Sequence, residues 1–247
     1  MEEYSLSNDE MTKEVSMSVT ERTGRTNRRC LLRSMAIAGA ATGLLSSIGT
    51  ASAAGRGRRK ESAQHSSRSE KVSQTAAILR DLWVGHIFWV RNVSLAAFDK
   101  NDAAGKTAEK QAVANAQAIA ASIEPFYGTP ARESFFKLLA GHYGAVKGYL
   151  EATVAGNASS QSSATQSLTS NAEDIAAFLS KANPQLPKEA LTSLLLAHGG
   201  HHIQQIQQLK DRKYDAEAQT WKEMKDHVYQ IADATADALA KQFASRF

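Results

Sequence analysis

Apolar residues recur at intervals of three and four from residue 72 to the end of the chain. This spacing places apolar side chains on one face of a helix. Two such stripes are Leu79, Leu82, Trp83, His86, Trp89, Val90 and Val93, and Phe135, Leu138, Leu139, His142, Val146 and Tyr149. The sequence has no run of alternating β-branched residues, and its many alanines favour helix. The pattern therefore predicts an all-α domain.

Short polar segments rich in Gly, Pro, Asn and Asp interrupt the pattern and divide it into six helices. The breaks fall at 99–103, 125–130, 156–160, 183–187 and 210–215. The predicted helices are 74–98, 104–124, 131–155, 161–181, 187–209 and 215–244. Connections this short join antiparallel neighbours, so we expect an up-and-down bundle of six helices.

A step of 56 residues recurs along these helices. Six polar residues follow it in two series, which are His86, His142 and His198, and Asn115, Asn171 and His227. A repeat of this length predicts three αα-hairpins packed side by side, each burying a stripe that it could not bury alone. All six residues fall near the middle of a predicted helix. We therefore expect one polar layer across an otherwise apolar core.

The histidines of this layer are candidate metal ligands. Histidine is the commonest metal ligand, and several imidazoles converging in a bundle suit Zn, Cu, Fe or Ni. His198 and His202 are four residues apart on one helical face, a spacing that can chelate one ion. The predicted metal ligands are His86, His142, His198, His202 and His227, with Glu223, four residues before His227, as a further candidate. The predicted cofactor is a Zn, Cu or Fe ion or another small group.

The same layer also has a structural interpretation. A buried polar layer can fix the register of packed helices, as one buried Asn does in coiled coils, and a hairpin repeat would duplicate it. Acid–base catalysis is a third interpretation, although the sequence shows neither an activated nucleophile nor a carboxylate pair. Three classes therefore stay open: a metal- or cofactor-binding protein, a structural or partner-binding module, and an enzyme.

The first 53 residues predict export. Residues 27–33 read N-R-R-C-L-L-R, and the uncharged stretch that follows ends in Ala51-Ser52-Ala53. A polar leader, an arginine pair, a modestly apolar core and a small-x-small end are typical of a cleaved twin-arginine signal peptide. A membrane anchor is the alternative, because the apolar stretch is about 20 residues long. We expect a mature protein without a membrane span, in the periplasm or outside a bacterial cell.

Charge is distributed unevenly along the chain, which has a net charge of +4. Residues 54–71 contain six basic and two acidic side chains, whereas residues 72–247 contain 17 of each. We assign 54–71 to a flexible basic linker that could contact an anionic envelope weakly, and 72–247 to the bundle. The neutral bundle does not have the charge of a nucleic-acid-binding domain. The one cysteine, Cys30, lies in the signal, so the mature chain forms no disulfide.

Several motifs of the bundle carry a family resemblance. They are Leu82-Trp83-x-x-His86-x-x-Trp89-x-Arg91, Pro125-Phe126-Tyr127-Gly128, Leu138-Leu139-x-x-His142, Asn171-Ala172-Glu173-x-Ile175-Ala176-x-Phe178-Leu179, Asn183-Pro184 and Lys241-Gln242-Phe243. Together they resemble a small all-helical bacterial family whose members carry the label glycosyltransferase. The resemblance covers residues 79–247 and implies a helical fold and glycosyl transfer. The residues themselves show neither the alternating strands nor the D-x-D pair of nucleotide-sugar enzymes, and they favour a non-enzymatic function.

Overall fold

A computed structural model describes the backbone of residues 53–247 and the side chains from residue 66 onward. The predicted signal peptide 1–53, including Cys30, lies outside the described residues except for Ala53. Helices make up almost all of residues 53–247, and no strand occurs in that range. The all-α class predicted from the apolar spacing is therefore confirmed.

The fold has six long helices and one short one. They are α1 (Ala53–Phe98), α2 (Asp102–Ser122), α3 (Glu124–Tyr127), α4 (Thr129–Ala155), α5 (Ala158–Ala182), α6 (Lys188–Lys210) and α7 (Tyr214–Gln242), followed by a 3₁₀ turn at Ala244–Arg246. The six long helices match the six predicted ones to within a few residues, except at the start of α1. Helix α3 lies in the predicted break at 125–130, with Pro125 in its first turn, where the missing N–H breaks no hydrogen bond.

Helix α1 begins at Ala53 rather than at residue 74, so the segment assigned to a flexible linker is helical. A helix extends from a formed segment at little cost, and the Arg, Lys and Glu residues of this stretch are good helix formers. The Arg68 guanidinium donates to the Ala240 carbonyl at 3.1 Å, and the Lys71 amine donates to the Arg246 carbonyl at 3.3 Å. These contacts with the end of the chain hold residues 68–71 against the bundle.

Specific capping residues lie at the helix ends beside the predicted breaks. The side chain of Asn101 accepts a hydrogen bond from the Ala104 N–H, and that of Asn157 accepts one from the Ser160 N–H, at the start of α2 and α5. Gly156 ends α4 with φ +69°, a left-handed conformation that glycine adopts without a Cβ clash. The breaks were predictable because capping depends on residues adjacent in sequence.

The six long helices form a closed ring in which inner and outer helices alternate. Helices α1, α4 and α6 contact one another along the centre. Helix α2 packs between α1 and α4, α5 between α4 and α6, and α7 between α6 and α1. None of the helices in residues 53–247 has the length and apolar character needed to cross a membrane.

The apolar core is divided into two clusters along the inner helices. One cluster includes Trp83, Leu139 and Leu195, and the other includes Val90, Val146 and Ile206. Between them on α1, α4 and α6 lie His86, His142 and His198. The core is therefore apolar on both sides of a level occupied by histidine.

Candidate metal centre

Four histidines of the inner helices meet in the core. They are His86 on α1, His142 on α4, and His198 and His202 on α6. Their exposed fractions are 5%, 4%, 1% and 1%. Each offers one ring nitrogen, and these four nitrogens all lie within 4.8 Å of one another. We call this group the four-histidine cluster.

Helix geometry places two of these rings together. His198 and His202 are separated by one helical turn, and their Nε2 atoms are 3.2 Å apart. Metal–nitrogen bonds of about 2.0–2.1 Å in a tetrahedral site place two ligand nitrogens about 3.3–3.4 Å apart. This contact is an N–H···N hydrogen bond between the two rings, and its length is close to the separation of two ligands of one ion. His86 and His142 complete the cluster from the two adjacent inner helices.

Each ring of the cluster has a buried nitrogen without a hydrogen-bond partner among residues 66–247. These atoms are Nε2 of His86 and His142, and Nδ1 of His198 and His202. A buried polar atom left unpaired costs about 1–3 kcal/mol. A shared ion would give a partner to the Nε2 atoms of His86 and His142, whereas the unpartnered Nδ1 atoms of His198 and His202 are not the nitrogens that face each other across α6.

Burial keeps the four imidazoles neutral. It lowers the pKa of His86 to about 3, with nearby His142 as a smaller cause. It lowers the pKa of His142 to about 4, against the smaller opposing effect of the neighbouring Asn171 side chain. Burial, followed by the other histidines, also holds the pKa values of His198 and His202 well below the usual value. Neutral imidazole is the form that binds metal, so the cluster needs no deprotonation at pH 7.

The packing of the rings limits the size of a ligand. Ring centroids within the cluster are 4.6 to 5.9 Å apart. The Trp83 ring contacts His86 and His198 edge-on, at centroid distances of 5.9 and 5.8 Å. Rings this close leave space for a single ion between their nitrogens, whereas a flat macrocycle such as haem would force the helices apart.

His227, the fifth predicted ligand, lies beside the cluster and is partly exposed. Its Nε2 is 2.8 Å from the Leu194 carbonyl oxygen, and its ring stacks on that of His198 at 6.4 Å. Glu223 is exposed and accepts a hydrogen bond from Gln219. The structure therefore brings together four of the five predicted ligands and leaves His227 and Glu223 outside the cluster.

The two asparagines of the predicted layer bind backbone rather than the cluster's nitrogens. Asn115 donates to the Leu82 carbonyl at 3.0 Å, and Asn171 donates to the Leu138 carbonyl at 2.9 Å. Each bond joins an outer helix to the inner helix beside it. These side chains set helix spacing at the level of the cluster.

A second buried polar group was not predicted from the sequence. Glu217 of α7 is 2% exposed and receives two hydrogen bonds from the Arg91 guanidinium, at 2.6 and 2.7 Å. Gln205 of α6 donates a third at 2.7 Å, and the Trp221 ring lies 5.8 Å from the Arg91 guanidinium. The sequence contained one signal for this buried carboxylate. Glu217 stands two helical turns before buried Met224 and so lies on the apolar face of α7.

Comparisons with protein-family models, curated proteins and solved structures give no match for this chain. The resemblance to the helical family labelled glycosyltransferase stays a prediction from its motifs.

Proposed function

We propose that this protein binds one transition-metal ion through the four-histidine cluster and that it does so without catalysing a reaction. The observation that carries the proposal is the convergence of four buried, neutral imidazoles with ring nitrogens within 4.8 Å of one another. A polar side chain is stable in a core only when its polar atoms have hydrogen-bond or metal partners. An ion shared by the four rings would supply that partner to the Nε2 atoms of His86 and His142.

The ligand set favours zinc or copper. Imidazole nitrogen suits Zn, Cu, Ni and Fe, whereas Mg²⁺ and Ca²⁺ take oxygen ligands. The cluster contains no carboxylate and no thiolate. The separation of the His198 and His202 Nε2 atoms is close to that of a tetrahedral site, which is the geometry of structural Zn²⁺ sites.

The number of ligands supports binding rather than catalysis. Catalytic zinc sites keep one position open for water or substrate, whereas structural sites are closed by four protein ligands. Four imidazoles would close a tetrahedral ion, and burial of all four rings keeps substrate away from it. We therefore assign the protein to storage, transport or structural use of the ion.

A structural role for the polar layer is the second candidate. The hydrogen bonds from Asn115 and Asn171 to carbonyls of the neighbouring inner helices favour it. Under this hypothesis the histidines fix the register of the helices and bind nothing. The two candidates differ in one measurable property, the response of the folded protein to metal.

We also propose that the bundle consists of three αα-hairpins related by the 56-residue step. In support, three side chains spaced by 56 residues bind carbonyls spaced by 56 residues: Asn115 to Leu82, Asn171 to Leu138, and His227 to Leu194. In each pair the carbonyl lies 33 residues before the side chain. Equal bonds at equal spacing are expected of hairpins built on one plan.

We further propose that the mature protein acts outside the cytoplasm of a bacterium. The twin-arginine-type segment supports this location, since that route exports proteins after they fold. A site buried between three helices is compatible with loading the ion before or after export.

The test is metal analysis of the mature chain, purified from its export compartment without a histidine tag. We expect about one Zn or Cu ion per chain, lost in His86→Ala, His142→Ala and His198→Ala. His227→Asn is the matched control and should keep the ion, because Asn binds the equivalent carbonyls elsewhere in the bundle. Nucleotide-sugar binding in the same preparations would instead support the transferase implied by the family resemblance.

Melting of the metal-free protein supplies the second measurement. An ion that binds only the folded state must raise its stability, by about 2.7 kcal/mol at a free concentration 100 times Kd. Absence of bound metal, together with an unchanged melting temperature on addition of Zn²⁺ or Cu²⁺, would rule out the metal site and leave the structural layer.

A further inference from the structure

The four-histidine cluster is separated from solvent by the helices that carry it. Its most exposed ring, His86, has an exposed fraction of 5%. An ion reaching it must exchange its water ligands for protein ligands along a route. Two further histidines, His201 on α6 and His227 on α7, lie beside the cluster and are partly exposed.

These two rings continue the cluster towards the surface. The His201 and His227 ring centroids are 5.4 Å apart. The His227 ring is stacked on the His198 ring at 6.4 Å with an interplanar angle of 9°. His198 in turn lies 4.6 Å from His202, ring centroid to centroid, inside the cluster. Imidazoles therefore follow one another from a partly exposed pair to the buried site.

The hydrogen bond of His227 sets its tautomer. A carbonyl oxygen only accepts, so the Nε2 atom facing Leu194 carries the proton. In the neutral ring, Nδ1 is then left with a free lone pair. Metal-binding histidines usually donate their other N–H to a carbonyl or carboxylate in this way. His227 thus keeps one ring nitrogen, Nδ1, available as a ligand although it lies outside the cluster.

The carbonyl bond does not itself require a histidine. Asn115 and Asn171 make the same bond to Leu82 and Leu138, at the positions one and two 56-residue steps earlier. An amide supplies the donor but no second nitrogen with a lone pair. What His227 adds to the structural role is therefore a metal-ligating atom, and it is adjacent to His201.

The charge near this pair also favours a cation. Glu223 lies one turn before His227 on α7 and is close enough to raise the pKa of His201, against the larger lowering by burial and by His227. A carboxylate near two imidazoles attracts a hydrated metal ion.

We propose that His201 and His227 form a surface docking site that captures the metal ion and passes it through His198 to the four-histidine cluster. The proposal rests on the proposed metal-binding function. Two imidazoles hold an ion less tightly than four, so transfer runs from the docking site to the cluster.

The test is the rate of metal uptake by the tag-free, metal-free protein. Cu²⁺ is the probe, because it heads the Irving–Williams order among divalent ions. Its arrival is followed in stopped flow by quenching of tryptophan fluorescence, since Trp83 contacts two rings of the cluster. In His201→Gln/His227→Asn we expect uptake about 10–100-fold slower, the scale on which partners of metal ligands act. The amount of Cu²⁺ bound by the cluster at equilibrium should not change.

The controls separate this inference from the function on which it rests. Asp226→Asn removes an exposed charge from the same helix but no imidazole, and should leave the rate unchanged. The single variant His201→Gln, which disturbs no hydrogen bond in the described residues, guards against misfolding of the double variant. Uptake as fast as in the parent, or loss of the cluster's ion, would overturn the docking site. A parent protein that binds no Cu²⁺ would overturn the metal function itself, and the docking site with it.

Discussion

At the scale of single residues, the feature that needs explanation is a group of neutral histidines in an apolar core. Burial, more than any neighbouring charge, lowers the pKa of His86 to about 3 and that of His142 to about 4. The pKa values of His198 and His202 lie well below the usual value for the same reason. In the unfolded chain each imidazole returns to about 6.5. The stability of the metal-free protein therefore depends on pH.

We predict that acid destabilises the metal-free protein from pH 6.5 downward. Below that pH the histidines are protonated in the unfolded chain but stay neutral in the folded cluster. The free energy of unfolding therefore falls by about 1.4 kcal/mol per pH unit for each histidine. The penalty is absent above pH 6.5 and grows as the pH falls, until about pH 4 for His142 and about pH 3 for His86. Urea unfolding followed by circular dichroism at pH 7.5, 6.5, 5.5 and 4.5 measures the effect.

The matched variant for this prediction is His142→Gln, which removes one titrating ring and keeps a polar side chain. It should reduce the slope of unfolding free energy against pH by the share of one histidine. An unfolding free energy that is the same at pH 7.5 and pH 5.5 would contradict the neutral cluster.

At the scale of helices, two adjacent glycines in α6 have different surroundings. A Cβ on Gly199 would lie 2.9 Å from Cδ2 and 3.1 Å from Cγ of Leu168 on α5, whose side chain is buried. A Cβ on Gly200 would meet nothing within 4 Å. Each glycine inside a helix costs about 1 kcal/mol relative to alanine. The structure shows that Gly199 allows α5 to approach, whereas Gly200 contacts nothing that requires a glycine.

We predict opposite effects of alanine at these two positions. Gly200→Ala should stabilise the protein by up to about 1 kcal/mol, the difference in helix propensity. Gly199→Ala should destabilise it by up to about 2 kcal/mol, since the cost of overpacking the contact with Leu168, about 1–3 kcal/mol, exceeds the same gain in helix propensity. Thermal melting of the two variants provides the comparison. Equal shifts in melting temperature would mean that Leu168 moves aside freely and that the close approach of α5 does not require glycine at position 199.

At the scale of the whole molecule, the ring of helices is closed by a buried ion pair. Arg91 of α1, Gln205 of α6 and Glu217 of α7 join the first long helix to the last two. The Arg91 side chain is 30% exposed, whereas that of Glu217 is 2% exposed. The two charges therefore differ in what happens when the partner is removed. Arg91 can be hydrated, but Glu217 cannot.

We predict that Arg91→Met destabilises the protein more than Glu217→Gln does. Loss of the guanidinium leaves a buried carboxylate without a counter-charge, which costs about 3–5 kcal/mol. Loss of the carboxylate leaves a guanidinium that water can reach, so the cost is smaller. Urea unfolding of both variants measures the difference. The exposed pair Arg80–Asp233 is the control, and Arg80→Ala should change stability little.

A larger effect of Glu217→Gln than of Arg91→Met would show that the carboxylate is reached by water in solution. The ring would then be closed chiefly by apolar contacts between α1 and α7. Both variants leave the four-histidine cluster intact, so metal content should be that of the parent.

Local sequence determined the helical class and the positions of the six long helices. Apolar spacing, Pro and Gly residues and Asn caps act within a few residues of where they stand. The start of α1 was missed, because the Gly and Ser residues of 54–71 favour a linker although the Arg, Lys and Glu residues of the same stretch are good helix formers. The contacts of Arg68 and Lys71 with backbone near residue 247 depend on the tertiary structure.

The candidate site was predictable only in part. The sequence alone identified the histidines, because their spacing and their place on apolar stripes can be read directly. Only the tertiary structure decided that His86, His142, His198 and His202 share one point while His227 binds the Leu194 carbonyl. It also decided that Glu217 pairs with Arg91 in the interior. The physical reason is that spacing fixes the height of a side chain along its helix, whereas its neighbours depend on how the helices are rotated and packed.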